Sequence, residues 1–237
     1  MKKLKEPRLK KNLYIFGCSG IGKSICDTLG RLKTHYDAII FVDPDYKKFD
    51  GEFYGYNVIS QNSLTKNKTV GSDVIFAFFK PKDIFDRSEL INQVLVEYNL
   101  NLVSVIDTTA VISKNAKIGL GTYIAPNVLI DSDVIIGDNC IILFNTVISR
   151  EVTIAGNSFI SAGCVLKGSV SIIESSFISA NVSLANTIHK NSFINAGIVV
   201  TEEVLESSII GSEKVIKKIM LPDSKRSAQK RLRFLHP

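Results

Sequence analysis

The sequence predicts a small Rossmann-like α/β domain followed by a left-handed parallel β-helix, and two observations lead to this expectation. From residue 106 to residue 184 every sixth residue is isoleucine or leucine, a period that neither a 3.6-residue helix nor an alternating strand produces. Before residue 106 the chain shows separate apolar runs with a helical pattern between them. We therefore place an α/β domain at residues 1–105, the β-helix at 106–212 and a basic tail at 213–237.

The six-residue repeat contains three kinds of position. The large aliphatic residues are Ile106, Ile112, Ile118, Ile124, Ile130, Ile136, Ile142, Ile148, Ile154, Ile160, Leu166, Ile172, Ile178 and Leu184. A small or β-branched residue follows four positions later, as at Ala110 and Cys164, and Asn, Gly or Asp often stands just before it. These last residue types tolerate a left-handed backbone and suit corners. Three units then close one triangular coil, and the coils stack at the strand spacing of about 4.8 Å.

The net charge of +6 is concentrated at the two ends of the chain. Lysines and arginines crowd residues 1–12 and 213–237 without a nucleic-acid motif, so we expect solvated tails and no nucleic-acid partner. A weak contact of these tails with an anionic membrane surface stays open. Since no apolar run of membrane-spanning length occurs, we expect neither a signal peptide nor a membrane span, and a cytoplasmic protein.

The four cysteines show no spacing typical of metal ligands, and we predict no metal site. Cys140 and Cys164 occupy the small inward position of the repeat. We expect both to fill the core.

The first hundred residues alternate between strand and helix patterns. Strands are expected at Leu13–Phe16, Ala38–Val42, Val74–Phe79 and Leu102–Ile106, with helices over residues 18–32 and about 82–98. This order predicts a small parallel sheet with covering helices. Ligands of such sheets lie at the carboxyl ends of the strands.

The glycine-rich turn GCSGIGKS at residues 17–24 is the candidate binding site of this domain. It formally satisfies the phosphate-loop pattern, but residues 1–105 are too few for a nucleotide triphosphatase core, and the glycine spacing differs from GxGxxG. We favour a cradle for the diphosphate of a nucleotide sugar, with Asp43 accepting a hydrogen bond from a ribose or sugar hydroxyl. The cradle residues are Gly17, Ser19, Gly20, Ile21, Gly22 and Lys23. A turn that serves only tight packing is the alternative.

The two parts together resemble a known family. A GxSGxG turn in a short α/β domain, followed directly by a hexapeptide β-helix, is similar to the sugar acyltransferases that include the bacillosamine-pathway N-acetyltransferase and the sialic acid O-acetyltransferase. The matching segments are YIFGCSGIGK (14–23), AVISKNAKIGLG (110–121), IGDN (136–139), NAGIVVTEEV (195–204) and IGSEKVIKKI (210–219). The resemblance implies a homotrimer that transfers an acetyl group from acetyl-CoA to an amino or hydroxyl group of a nucleotide-linked sugar in surface glycan synthesis.

At the expected catalytic position the sequence departs from this family. Arg150 stands where the family carries its general-base histidine, and Glu151 matches the acidic partner of that histidine. A guanidinium stays protonated at physiological pH and cannot abstract a proton. Phe159 and Ile21 stand where further family histidines occur.

His189 is the remaining histidine that we consider as a base. It follows a slip in the repeat, because Ile188 comes four residues after Leu184 instead of six. Coil counting puts this shortened side two coils above Arg150, roughly 10 Å away. A histidine exposed in a turn is the alternative reading.

The resemblance also implies an acyl-CoA groove floored by small residues. The predicted contacts are Phe159, Ala162, Gly163, Ala180, Ala196 and Gly197. We therefore expect an acyl-CoA-dependent sugar N- or O-acetyltransferase with altered catalytic residues. The alternative is a non-catalytic homologue that binds a nucleotide sugar or a partner enzyme and uses the β-helix as a trimeric scaffold.

Overall fold

The computed structural model describes residues 11–65, 69, 71–79 and 87–211, together with the backbone of residues 214–218. It confirms the predicted fold class, a parallel α/β sheet with helices followed by a three-sided β-helix. Most of the two predicted basic tails lies outside the described residues. Within the described ranges, no helix has the length and apolar character needed to cross a membrane.

The amino-terminal domain is built on one six-stranded sheet. Its elements are β1 (Asn12–Phe16), α1 (Gly20–Leu32), β2 (Ala38–Val42), a 3-10 turn (Tyr46–Phe49), β3 (Glu52–Phe53), β4 (Tyr56–Ile59), a second 3-10 turn (Gln61–Ser63), β5 (Asp73–Phe76), α2 (Arg87–Tyr98) and β6 (Asn101–Leu102). The strand order is β3-β4-β2-β1-β5-β6, and every pair is parallel except the β3–β4 hairpin. The order reverses beside β1, which makes the carboxyl end of β1 the expected ligand position.

Two expectations for this domain need correction. The β3–β4 hairpin was not predicted, because its turn is formed by Tyr54 and Gly55 with φ angles of 55° and 79°, and tyrosine rarely adopts this conformation. The single strand expected at Leu102–Ile106 is two strands in different sheets. The Val103 amide donates to Val74 in the α/β sheet, whereas the Val105 amide donates to Thr122 in the β-helix.

The β-helix has three faces of short parallel strands. Face 1 consists of β7 (Val105–Ile106), β10 (Tyr123–Ile124), β13 (Ile141–Ile142), β16 (Phe159–Ile160), β19 (Phe177–Ile178), β21 (Phe193–Ile194) and β23 (Ser208–Gly211). Face 2 consists of β8 (Val111–Ile112), β11 (Leu129–Ile130), β14 (Val147–Ile148), β17 (Val165–Leu166), β20 (Ser183–Leu184) and β22 (Val199–Val200). Face 3 consists of β9 (Lys117–Ile118), β12 (Ile135–Ile136), β15 (Thr153–Ile154) and β18 (Ser171–Ile172), and β24 (Lys214–Lys218) pairs antiparallel with β23. We call the turns between faces corner 1–2, corner 2–3 and corner 3–1.

The residues of the repeat lie in the core and at the corners, as the sequence predicts. The second residue of a strand points inward, so that Ile142 and Leu166 are fully buried. Cys140 and Cys164 are free thiols with no exposed surface, which confirms them as core residues. The corner residue Asn127 has a φ angle of 57°, in the left-handed region.

The slip in the repeat shortens face 3. Ile188 forms isolated bridges with Ile172 in the coil before it and with Val204 in the coil after it. The coils of Ile188 and Val204 therefore each lack two residues on this side, while faces 1 and 2 continue with full strands.

The α/β domain packs against face 1. Tyr123 and Ile141 point outward from this face and are at most 1% exposed, because they share one apolar cluster with Ile25 of α1 and Phe41 of β2. Burial of this apolar surface holds the two domains together. It also brings α1 beside corner 1–2.

Candidate functional site

The glycine-rich turn leaves unused hydrogen-bond donors at the start of α1. The Ser19 hydroxyl accepts from the Gly22 amide (3.2 Å) and donates to the Ala77 carbonyl (2.6 Å), and so caps the helix and ties it to the end of β5. Within the described part of the chain, the amides of Ser19, Gly20 and Ile21 have no hydrogen-bond partner. Three adjacent donors at the positive end of a helix form a suitable place for a phosphate.

The glycines of the turn have different roles. A Cβ on Gly22 would lie 2.7 Å from the ring of Phe41, so this glycine allows close packing of α1 on the sheet. Gly17 has a φ angle of 107°, which a residue with a side chain rarely adopts. A Cβ on Gly20 would meet no atom within 4 Å, so the turn is open at this point.

Asp43 and Lys23 already have partners near the turn. The Asp43 carboxylate accepts from the Cys18 amide (2.8 Å) and the Asp45 amide (2.9 Å), and it thereby links the ends of β1 and β2. The ammonium of Lys23 lies 5.1 Å from the ring centroid of Phe53 in the β3–β4 hairpin. The turn therefore offers backbone amides as its free donors.

Corner 1–2 carries a column of small residues that runs along the β-helix axis. Backbone hydrogen bonds join each coil to the next here: Gly163 donates to Phe144, Asn181 to Ala162 and Gly197 to Ala180. Gly163 has a φ angle of 69°, and a Cβ on it would lie 2.3 Å from the side-chain oxygen of Asn181. Five predicted groove residues thus lie together: Ala162, Gly163, Ala180, Ala196 and Gly197.

Phe159 does not belong to this column, which corrects its assignment to the groove. It points outward from face 1 beneath the α/β domain and is only 6% exposed. Its ring stacks on Phe177 with centroids 4.6 Å apart and contacts Phe79 at 5.0 Å. Phe159 therefore contributes to the packing of the α/β domain on face 1.

A cleft of about 320 Å³ opens where the small-residue column ends. In the coil before Ala162 and Gly163, the corner carries Phe144 instead of a small residue. The side chain of Phe144 is 47% exposed. The cleft is lined by Ser24, Asp27 and Arg31 of α1 and by Pro126, Asn127, Phe144 and Asn145 of corner 1–2. The three α1 residues lie on one side of the helix, since they are three and four positions apart. Sequence reasoning missed this cleft, because no local pattern relates α1 to a corner about a hundred residues later.

A buried carboxylate at the domain interface holds one wall of the cleft. The side chain of Asp107 has no exposed surface and accepts hydrogen bonds from Arg31 Nε (2.8 Å) and the Thr28 hydroxyl (2.9 Å) of α1. It also accepts from the amide and hydroxyl of Thr109. The charge of Arg31 is therefore neutralised beside the cleft.

The three predicted catalytic residues are not brought together within one chain. Arg150 is exposed at corner 2–3, and its neighbour Glu151 accepts a hydrogen bond from Ser169 (2.9 Å) in the next coil. His189 follows the shortened face 3 and lies at corner 3–1, where its Nε2 is 2.5 Å from a carboxylate oxygen of Glu203. His189 and Arg150 therefore occupy opposite ends of face 3.

Within the described residues, no three His, Cys, Asp or Glu side chains are placed to hold a metal ion together.

The α/β domain and the repeat each match a protein family. Residues 12–79 match the PglD N-terminal domain, and residues 115–150 match the bacterial transferase hexapeptide of six repeats. Comparison with curated protein sequences gives no match.

Two solved structures have a similar fold over nearly the whole chain. The acetyltransferase domain of PglB from Neisseria gonorrhoeae FA1090, in complex with acetyl coenzyme A, gives a TM-score of 0.74 at 21% identity, covering 89% of this chain and 100% of that one. A variant of perosamine N-acetyltransferase from Caulobacter crescentus, in complex with CoA and GDP-perosamine, gives 0.76 at 23% identity, covering 86% of this chain and 95% of that one. The resemblance to hexapeptide-repeat sugar acyltransferases expected from the sequence is confirmed, since a segment that matches the PglD N-terminal domain is followed by one that matches the bacterial transferase hexapeptide.

Proposed function

We propose that the protein is an acyl-CoA-dependent N-acetyltransferase that acts on a nucleotide-linked amino sugar in the cytoplasm, in the synthesis of a surface glycan. One observation supports this proposal above all. The small-residue column on corner 1–2 ends at the cleft that α1 borders. A donor bound in the column and an acceptor held at the start of α1 would meet there. The solved relatives support the two substrates, since one contains acetyl coenzyme A and the other contains CoA with GDP-perosamine.

The surface of face 2 supports a homotrimer as the working form. Its outward residues are apolar and 41–65% exposed at Val111, Leu129, Val165 and Val199. Face 1 is covered by the α/β domain, and face 3 presents more polar residues. An exposed apolar stripe of this length is typical of an interface between copies.

Packing three copies through face 2 would complete the acyl-CoA site. Around a threefold axis, corner 1–2 of one copy meets corner 2–3 of its neighbour. Arg150 belongs to the same coil as Phe144, so the partner subunit's Arg150 would lie level with the end of the small-residue column. One wall of the groove would then come from one copy and the other wall from its neighbour.

In this arrangement Arg150 takes an electrostatic role. The guanidinium would donate to the thioester oxygen as negative charge develops on it, or hold a phosphate. The acceptor amine arrives neutral, and its nitrogen bonds to the carbonyl carbon as the carbon–sulfur bond breaks. The proton that the nitrogen loses passes through solvent to the CoA thiolate. Positioning of the two reactants supplies much of the rate enhancement.

Titration calorimetry tests the proposal directly. Acetyl-CoA and a set of UDP-, dTDP- and GDP-linked amino sugars should each bind, and mixing both substrates with the protein should release CoA thiol. Binding of a nucleotide sugar without any binding of acetyl-CoA would instead support the non-catalytic scaffold.

A further inference from the structure

The cleft between α1 and corner 1–2 is built like a sugar-binding site. Sugar sites combine an aromatic surface with a few convergent polar side chains. Here Phe144 provides an exposed ring, and Asp27 provides a carboxylate across from it. Within the described part of the chain, the Ser24 hydroxyl and the side-chain amides of Asn127 and Asn145 have no hydrogen-bond partner.

The cleft also carries a net negative charge. Arg31 is the one cationic residue in its lining, and Asp107 pairs with it from the buried side. Asp27 also attracts the Arg31 guanidinium, so two carboxylates stand beside one cation. The Oδ1 of Asp27 accepts from the Tyr54 hydroxyl (2.9 Å), and among the described residues Oδ2 has no hydrogen-bond partner. Lys23, one turn earlier on α1, lies over the aromatic rings of the β3–β4 hairpin and is not in the lining.

The distance from the glycine-rich turn suits a sugar attached to a diphosphate. Ser24 and Asp27 follow Gly20 by one and two helical turns, which is about 6 and 10 Å along the axis of α1. A diphosphate held by the first amides of α1 would therefore place its sugar along this side of the helix. The far side of the ring would reach the cleft.

We infer that this cleft is the subsite for the acceptor sugar, with Asp27 binding its amino group and Phe144 covering its apolar face. The inference rests on the proposed acetyl transfer and assigns the acceptor to a site within one chain. An amine bound here lies at the end of the small-residue column, where the acetyl group of the donor would arrive. The ring of Phe144 packs against the apolar face of the sugar, and the Asp27 carboxylate accepts an N–H bond from the neutral amine.

The test compares nucleotide sugars that differ only in the amine. The full-length protein is titrated with GDP-perosamine, with GDP-rhamnose, which has a hydroxyl in place of the amine, and with equivalent UDP- and dTDP-linked pairs. We expect the wild type to prefer the amino form of one pair by about tenfold, the range of a hydrogen bond to a charged group. Asp27→Asn should abolish this preference and leave the affinity for acetyl-CoA and for the free nucleoside diphosphate unchanged.

One further variant and two matched controls complete the experiment. Asp50→Asn removes an exposed charge of the same domain away from the cleft and should keep the preference. Phe144→Ala should weaken binding of both sugar forms but not of the nucleoside diphosphate, whereas Leu120→Ala, another exposed apolar residue on a corner, should change neither.

Each outcome decides one of the two proposals. An Asp27→Asn protein that keeps the full preference for the amine, or a wild type without any preference, overturns the assignment of the cleft. A wild-type protein that does not bind acetyl-CoA overturns the proposed acetyl transfer. Its preference for the amino form of the sugar would still test whether the cleft binds the acceptor.

Discussion

Replacing Asp107 by asparagine should destabilise the protein in a way that depends on pH. Asp107 is the buried acceptor between the domains, and its partners Arg31 and Thr28 belong to α1. Burial raises the pKa of Asp107, but hydrogen bonds from the Thr109 amide, Arg31 and the two threonine hydroxyls outweigh it and bring the pKa from 3.8 to about 2. The folded state thus favours the ionised carboxylate.

The size of this effect follows from the change in pKa. A decrease from 3.8 to about 2 corresponds to about 2 kcal/mol of stability at neutral pH. Because the folded-state pKa lies below the unfolded-state value, this stability is complete above about pH 5 and is lost as the pH falls towards 2. About 1 kcal/mol remains at pH 3.

Chemical denaturation followed by far-UV circular dichroism measures the loss, and this signal suits a chain without tryptophan. Asp107→Asn should lower the free energy of unfolding by about 2 kcal/mol at pH 7 and by well under about 1 kcal/mol at pH 2. Asp133→Asn is the control, because Asp133 is exposed on a corner with a φ angle of 59°, which asparagine also tolerates. An equal loss at both pH values would refute the view that the ionised carboxylate stabilises the domain interface.

Three further predictions concern the β-helix. Ala162→Leu places a branched side chain in the small-residue column and should weaken acetyl-CoA binding at least about tenfold in calorimetry, whereas Lys190→Leu on corner 3–1 should not. Val165→Asp puts a carboxylate into the proposed interface and should yield monomers by size-exclusion chromatography with light scattering, since an unpaired buried charge is costly; a variant that stays trimeric would argue against face 2. Arg150→Gln removes the guanidinium proposed to donate to the thioester oxygen and should slow CoA thiol release by about a hundredfold, and an unchanged rate would refute this role of Arg150.

The repeat could be read from the sequence because its signals are local. Each coil repeats the same inward aliphatic residue, and corner residues such as Asn127 and Gly163 reveal their left-handed backbone by their type. The GxSGxG turn could also be predicted from the sequence, since Gly22 packs against the sheet and Ser19 caps α1. Patterns of this kind depend only on neighbours along the chain.

The interface between the two domains could not be predicted from such local patterns. Arg87 is only 2% exposed, and it donates to the Phe78 carbonyl of the α/β domain (3.1 Å) and the Asn139 carbonyl of the β-helix (2.7 Å). Burial lowers the pKa of its guanidinium to about 10. A charged residue at the start of a helix is ordinarily expected in solvent, and only its distant partners explain its burial.

By itself the sequence determined the two-part architecture, the three-sided repeat and the glycine-rich turn. Only the tertiary structure decided that Phe159 lies under the α/β domain, that His189 and Arg150 belong to different corners, and that α1 and corner 1–2 enclose a cleft. The physical reason is the range of the interactions. Backbone preferences and the inward periodicity act within a few residues, whereas the cleft depends on which outer face of the β-helix buries the apolar side of the α/β domain.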